Sequence, residues 1–123
     1  MFINLKGNHD VNNRVKSTAN MMRTKLGNKY VDVSISHYPS YDKHAVGMFE
    51  EGDIHLCGHV HSNWKHCLDI THKVLNINVG VDVWNYSLVS EHELIMYIDK
   101  IMKLPKEQIF KVEIEKNGKI ISV

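Results

Sequence analysis

The chain has 123 residues, of which 43% are hydrophobic and 24% charged, and its formal net charge is +1 with histidine neutral. This length and composition fit one globular domain, and the balanced charge argues against stable nucleic-acid binding, which needs clustered Lys and Arg. No apolar run approaches the ~20 residues that span a bilayer, and no basic segment followed by an apolar one indicates a signal peptide. We therefore expect a cytoplasmic protein with no membrane partner.

The first part of the chain predicts a strand, a polar loop and a helix. The apolar run Phe2-Ile3-Asn4-Leu5 leads into Gly7-Asn8-His9-Asp10, where Gly7 permits a turn. Four residues then recur at the spacing of one helical face: Val15, Ala19, Met22 and Leu26. Gly27 is a natural residue to end that helix.

Two further strands are predicted in the middle of the chain. Residues Tyr30 to Ser36 form a strand that ends at His37, and Pro39 to Gly52 forms a loop. Residues Asp53 to Cys57 form the next strand, which runs into Gly58-His59-Val60-His61.

The last part of the chain predicts strands, a helix and a hairpin. Two strands, Cys67 to Ile70 and Lys73 to Val79, are joined by a turn near Thr71-His72. Ser90 and Glu93 have the spacing of a capping box, which opens a helix that ends before Pro105. The apolar face of that helix carries Leu94, Ile95, Ile98, Ile101 and Met102. Asn117-Gly118, between Lys111 to Glu115 and Lys119 to Val123, is the strongest short hairpin signal.

Three of the predicted strands end in side chains that can bind a metal ion. These are Asn8, then His37, then the pair His59 and His61. In open α/β sheets, ligands bind just beyond the carboxyl ends of the strands. In an extended segment His59 and His61 would project to the same side and form a chelating pair of imidazoles. The pattern predicts a metal centre at this edge of the sheet.

Each of these residues also has a purely structural interpretation. Asn8 and Asp10 could bond their own backbone in a turn, His37 could be a structural histidine, and His59 and His61 could be surface residues. His55 is expected to be packed inside its strand or to lie on the opposite face. The histidines expected on the surface are His44, His66, His72 and His92.

The two cysteines, Cys57 and Cys67, allow two interpretations. We expect buried free thiols, neither disulfide-bonded nor metal-bound, because free Cys packs as a small hydrophobe. The alternative is a structural zinc site that uses both thiols with nearby histidines.

Together, Gly7-Asn8-His9-Asp10, Ser36-His37-Tyr38-Pro39 and Gly58-His59-Val60-His61 resemble three motifs of the calcineurin-like metallophosphoesterases, in the right order. The similarity is greatest to small bacterial and phage phosphoesterases, which carry a segment like residues 78–86, Asn-Val-Gly-Val-Asp-Val-Trp-Asn-Tyr. The resemblance covers residues 1–104 as the carboxyl-terminal half of such a domain, and residues 105–123 form a hairpin extension outside it.

The resemblance implies an α/β fold, part of an αββα sandwich that lacks its N-terminal strands, and hydrolysis of phosphate mono- or diesters at a centre of two divalent metal ions. Mn, Fe, Zn or Ni would serve as the metal. Asn8, His37 and His59 would bind one ion and His61 the other. His9 would contact the phosphate and assist the leaving oxygen, and Asp10 would support it.

The family has two further motifs upstream, Asp-x-His and Gly-Asp, and neither precedes Gly7 in this sequence. In the family they supply the other ligands of the first metal and the bridging aspartate. The resemblance therefore implies either that a separate N-terminal-half polypeptide or a homologous copy completes the enzyme, or that the chain is an inactive remnant or a metal-binding module.

Overall fold

The structure is a computed structural model that describes residues 21–45 and 48–123. Within these residues, seven strands form one mixed sheet in the order β1-β2-β3-β5-β4-β6-β7. The strands are β1 Met22–Leu26, β2 Tyr30–Ile35, β3 Ile54–Cys57, β4 His66–Asp69, β5 Val74–Asn78, β6 Lys111–Ile114 and β7 Ile120–Ser122. Helix α1 spans Glu91–Met102, and short 3-10 helices span Val81–Val83 and Lys106–Gln108. The general α/β class expected from the sequence is confirmed.

The helix predicted to end at Leu26 is wrong in its described part. Residues Met22–Leu26 form β1, which pairs antiparallel with β2, and Gly27 lies in the connecting turn with a φ of 57°. The pairing with β2 outweighs the helical spacing of the apolar residues. Val15 and Ala19, the other two residues of that pattern, lie outside the described residues.

The centre of the sheet is parallel, and this brings strand ends together. Strand β3 pairs in parallel with both β2 and β5, so the carboxyl ends of all three strands lie at one edge of the sheet. Strand β4 runs antiparallel to β5 and connects through a parallel pair to β6. The predicted hairpin is confirmed, with Gly118 at a φ of 85° between β6 and β7.

One face of the sheet is apolar and packs against α1. The buried cluster joins strand residues such as Leu56 and Ile77 to Leu94, Ile98 and Ile101 of the helix. The predicted capping box is confirmed: the Ser90 side chain accepts from the Glu93 backbone, and the Glu93 side chain accepts from the Ser90 backbone. This face anchors the strands whose ends form the candidate site.

The opposite face is buried but polar. A row of cross-strand neighbours runs over it from β2 to β4: Ser34, His55, Asn76 and Cys67, all with no exposed surface. The loop after β2 covers the row, since the Ser40 backbone donates to Asn76 and the Phe49 ring packs edge-on to His55. In the part of the chain that the structure describes, no helix is long and apolar enough to cross a membrane.

Candidate metal centre at the strand ends

His37 and His59 come together beyond the ends of β2 and β3. The Gly58 backbone donates to the His37 carbonyl at 2.9 Å, which ties the two strand ends to each other. The two imidazole rings lie edge-on with their centres 5.3 Å apart. Tyr38 packs against both rings, at 4.8 Å from His37 and 4.7 Å from His59. Parallel strand pairing thus places side chains 22 positions apart in the sequence in one cluster.

A carboxylate lies beside one of these imidazoles, that of His59. The Oδ2 atom of Asp42 lies 3.8 Å from Nε2 of His59, and its Oδ1 accepts a hydrogen bond from the His44 backbone. The His44 ring in turn packs against Tyr38, with the ring centres 5.3 Å apart. Asp42 gives the cluster a negative charge that would favour a bound cation.

The expectation that His59 and His61 share one extended segment is wrong. Strand β3 ends at Cys57, and the φ values of His59 and His61 are 71° and 51°, in the left-handed region. The backbone of Val60 donates to the Gly58 carbonyl in a tight turn, and Val60 itself is buried. A period-two projection of the two imidazoles therefore does not apply here.

His61 has a carboxylate partner of its own. Its side chain is 85% exposed, and its Nδ1 atom lies 3.1 Å from Oδ2 of Asp82. Asp82 belongs to the short 3-10 helix that follows β5. The 59–61 turn thus presents His59 to the His37 cluster and His61 to the segment after β5.

The buried side chain of Asn78 holds the histidine turn in place. Its amide nitrogen donates to the carbonyls of His61, at 2.7 Å, and Trp64, at 2.9 Å. Its amide oxygen accepts from the Gly80 backbone at 2.8 Å, and a Cβ atom at Gly80 would lie only 3.0 Å from that oxygen. The nitrogen and the oxygen of the Asn78 amide are therefore both hydrogen-bonded, and the contact with that oxygen requires a small residue at position 80.

The side chains at this edge are of the types that bind divalent metal ions. Imidazole nitrogens and carboxylate oxygens suit Zn, Mn and Fe. Within residues 21–45 and 48–123, no three or more His, Cys, Asp or Glu side chains are grouped so that they could hold a metal ion. Asn8, His9 and Asp10, the other predicted site residues, lie outside the described residues.

Both cysteines are free and have no exposed surface. Burial raises the pKa of the Cys57 thiol well above its ordinary value and raises that of Cys67 to about 12.

The remaining histidines have structural surroundings. His55 is fully buried, as expected, and His44, His72 and His92 are exposed. His66 is half-buried in β4, where its Nδ1 lies 2.7 Å from the Tyr97 hydroxyl, so the expectation of a surface residue is wrong there.

A cavity of about 590 Å³ lies beside the cluster. Its walls come from the loop after β2, including Tyr41, Asp42 and Phe49, and from the C-terminal hairpin, including Ile114 and Ile120. Because Asp42 borders both the cavity and His59, the cavity adjoins the candidate centre. A volume of this size suits a small organic group.

Sequence reasoning gave no role to Asp42 or Asp82, and it quoted Asn78 only as part of a segment. A signal existed for two of them, since residues 78–86 stood out as a motif after the histidine turn. Asp42 carried no such signal. Comparison of the chain with family models, with curated proteins and with solved structures found no match.

Proposed function

We propose that this chain forms part of a metal-dependent phosphoesterase that hydrolyses phosphate mono- or diesters. The observation that carries the proposal is the meeting of His37 and His59, 5.3 Å apart at their ring centres, beyond two parallel strands. The order of the three sequence motifs agrees with it. The finer fold proposed with this function is the αββα sandwich of the calcineurin-like metallophosphoesterases.

In this proposal His37 and His59 bind one divalent ion together with Asn8, and His61 binds a second. Asp42 adds a negative charge beside His59, which favours cations over competing anions at this edge. When bound, such ions supply Lewis-acid neutralisation of the charge on phosphoryl oxygens. In the same proposal, His9 would hold a proton for the leaving oxygen, and Asp10 would support this role.

The proposal includes a partner that supplies carboxylates. A dication held by neutral imidazoles and one amide keeps most of its charge uncompensated, and bridging carboxylates hold paired ions ~3.5–4 Å apart. We propose that a polypeptide carrying Asp-x-His and Gly-Asp, or a homologous copy, provides these groups. The cavity next to Asp42 would accept the organic group of the ester.

The alternative function is a metal-binding module without catalysis. It is favoured by the separation of the two histidines of the turn, because His61 lies against Asp82 while His59 lies in the His37 cluster. Such a module would bind one ion weakly through His37 and His59.

Mn²⁺ titration followed by NMR tests the proposal. Paramagnetic Mn²⁺ should broaden the side-chain signals of His37 and His59 at low stoichiometry and leave those of His92 sharp. His92 is an exposed histidine in the first turn of α1 and serves as the internal control. Equal broadening of all exposed histidines would show nonspecific binding and contradict the proposal.

A further inference from the structure

Asp82 contacts the ring of His61 from a different segment of the chain. The contact joins Oδ2 of Asp82 to Nδ1 of His61 at 3.1 Å, across 21 positions of sequence. Since an ionised carboxylate can only accept a hydrogen bond, the proton of a neutral His61 ring lies on Nδ1. The other ring nitrogen, Nε2, then carries a free lone pair on a side chain that is 85% exposed.

The same segment also fixes the backbone of His61. Asn78 donates to the His61 carbonyl at 2.7 Å from the end of β5, and four residues later Asp82 meets the His61 ring. Gly80 closes the turn between them by donating to the Asn78 side chain. The segment 78–82 therefore contacts His61 twice, through a hydrogen bond to its main-chain carbonyl and another to its ring.

We propose that Asp82 is a positioning residue that holds His61 in the Nδ1–H tautomer, with Nε2 directed outward as a metal ligand. The ligand role rests on the proposed function, whereas the tautomer does not. Carboxylates that accept from the second nitrogen of a metal-binding imidazole fix its tautomer and raise its basicity. The segment after β5 would then act in the site through His61, without contacting the metal or the substrate.

The tautomer can be measured in the whole chain without metal. Long-range ¹H–¹⁵N NMR spectra at about pH 8.5, where unperturbed imidazoles are neutral, distinguish the protonated ring nitrogen from the free one. Two other histidines provide references in the same spectrum. His72 donates from Nδ1 to Asp69, and His55 donates from Nε2 to the Tyr38 carbonyl. The His61 signals are assigned by their loss in His61→Gln.

We expect wild-type His61 to show the pattern of His72. Asp82→Ala should move it toward the pattern of His55, and Asp82→Asn should retain the Nδ1–H form because the amide oxygen still accepts. The matched control is Asp32→Ala, which removes an exposed carboxylate that pairs with Arg23. A wild-type His61 with the His55 pattern, or an Asp82→Ala spectrum identical to the wild type, would overturn the proposal.

Mn²⁺ affinity separates this inference from the proposed function. Calorimetric titration should show that Asp82→Ala weakens the Mn²⁺ ion bound at His61 by about 10–100-fold and leaves the ion at His37 and His59 unchanged, while Asp32→Ala should bind both ions as the wild type does. If the wild type binds no Mn²⁺, the proposed function fails, and the tautomer spectra still decide whether Asp82 positions His61. If the tautomer changes in Asp82→Ala but the affinity for the Mn²⁺ ion at His61 does not, the positioning role toward a metal is overturned.

Discussion

The Nδ1 atom of His55 lies 2.7 Å from the hydroxyl of Ser34, its neighbour across the β2–β3 pair. On the other side of the ring, Nε2 lies 2.9 Å from the Tyr38 carbonyl and 2.9 Å from the Ser36 hydroxyl. A carbonyl can only accept, so Nε2 carries the proton and Ser34 donates to Nδ1. The neutral imidazole is therefore satisfied on both sides inside the sheet.

This buried histidine predicts a loss of stability in mild acid. Burial lowers the pKa of His55 from 6.5 to about 4, with smaller opposing effects from the Tyr38 carbonyl and Asp53. Between these two pKa values the unfolded chain binds the proton and the folded chain does not. The contribution of His55 to the free energy of unfolding is therefore complete above pH 6.5 and decreases as the pH falls toward 4. The expected slope is about 1.4 kcal/mol per pH unit, on the order of 3 kcal/mol in all.

Urea unfolding at a series of pH values measures this slope. His55→Gln, which keeps hydrogen-bonding groups but cannot titrate, should flatten the slope between pH ~6.5 and ~4. The control His92→Gln changes an exposed histidine and should keep the wild-type slope. A His55→Gln variant with an unchanged slope would show that other groups cause the acid sensitivity.

A second prediction concerns Asn78, which donates to two carbonyls of the histidine turn. Asn78→Asp removes the donor while keeping the shape, and it leaves the His61 and Trp64 carbonyls facing a carboxylate. We expect a loss of about 1–3 kcal/mol in the free energy of unfolding, because the buried Asn78 side chain loses two hydrogen bonds and a carboxylate would face two carbonyl oxygens. Urea unfolding at neutral pH measures it.

The matched control for this variant is Asn117→Asp in the hairpin turn. Asn117 is exposed, and its side-chain oxygen accepts from the Lys119 backbone, a role that Asp can also fill. The free energy of unfolding of Asn117→Asp should stay within about 0.5 kcal/mol of the wild-type value. Equal stability of both variants would mean that Asn78 does not anchor the turn.

The strands and caps were predictable because their signals are local. Ser90 and Glu93 form a capping box within one turn of helix, and Asn117-Gly118 sets a hairpin whose strands are sequence neighbours. The strand that ends at Cys57 could be predicted because it is a short apolar run between turn residues. In each case the residues that decide the structure lie within a few positions of one another.

The failures arise where one pattern fits two structures. Met22 and Leu26 are four positions apart, and this spacing satisfies the period of a helix and also the alternation of a strand. Pairing with β2, which sequence periodicity does not report, decides in favour of a strand. The spacing of His59 and His61 likewise does not reveal that the strand has already ended at Cys57.

The partners of the candidate site were least predictable. The contacts of Asp42 with His59 and of Asp82 with His61 each join residues about twenty positions apart, through turns whose shape depends on buried side chains such as Asn78. A residue type that could bind a metal is visible in the sequence. Its orienting partner becomes visible only when the strand order is known.

A third prediction separates the two histidines at the strand ends from their neighbour His44. His59→Ala should weaken Mn²⁺ binding strongly, because it removes one of the two imidazoles that meet at this edge. His44→Ala removes a nearby exposed imidazole that packs on Tyr38 and should bind Mn²⁺ within about twofold of wild type, since ~0.5 kcal/mol is the scale of a surface change. Calorimetric titration compares them, and equal losses in both variants would place the ion elsewhere.

The last prediction concerns activity. Alone, these 123 residues should hydrolyse a chromogenic phosphodiester slowly or not at all, even with excess Mn²⁺, because in our proposal the bridging carboxylate comes from the partner. Adding a polypeptide that carries Asp-x-His and Gly-Asp should restore hydrolysis. In that complex, His59→Ala should lower metal occupancy. His9→Ala should instead keep the metal and lower turnover by ~10²–10⁴-fold, the usual contribution of general-acid assistance. Rapid turnover by the isolated chain, abolished by His59→Ala, would show that its own residues suffice for the reaction.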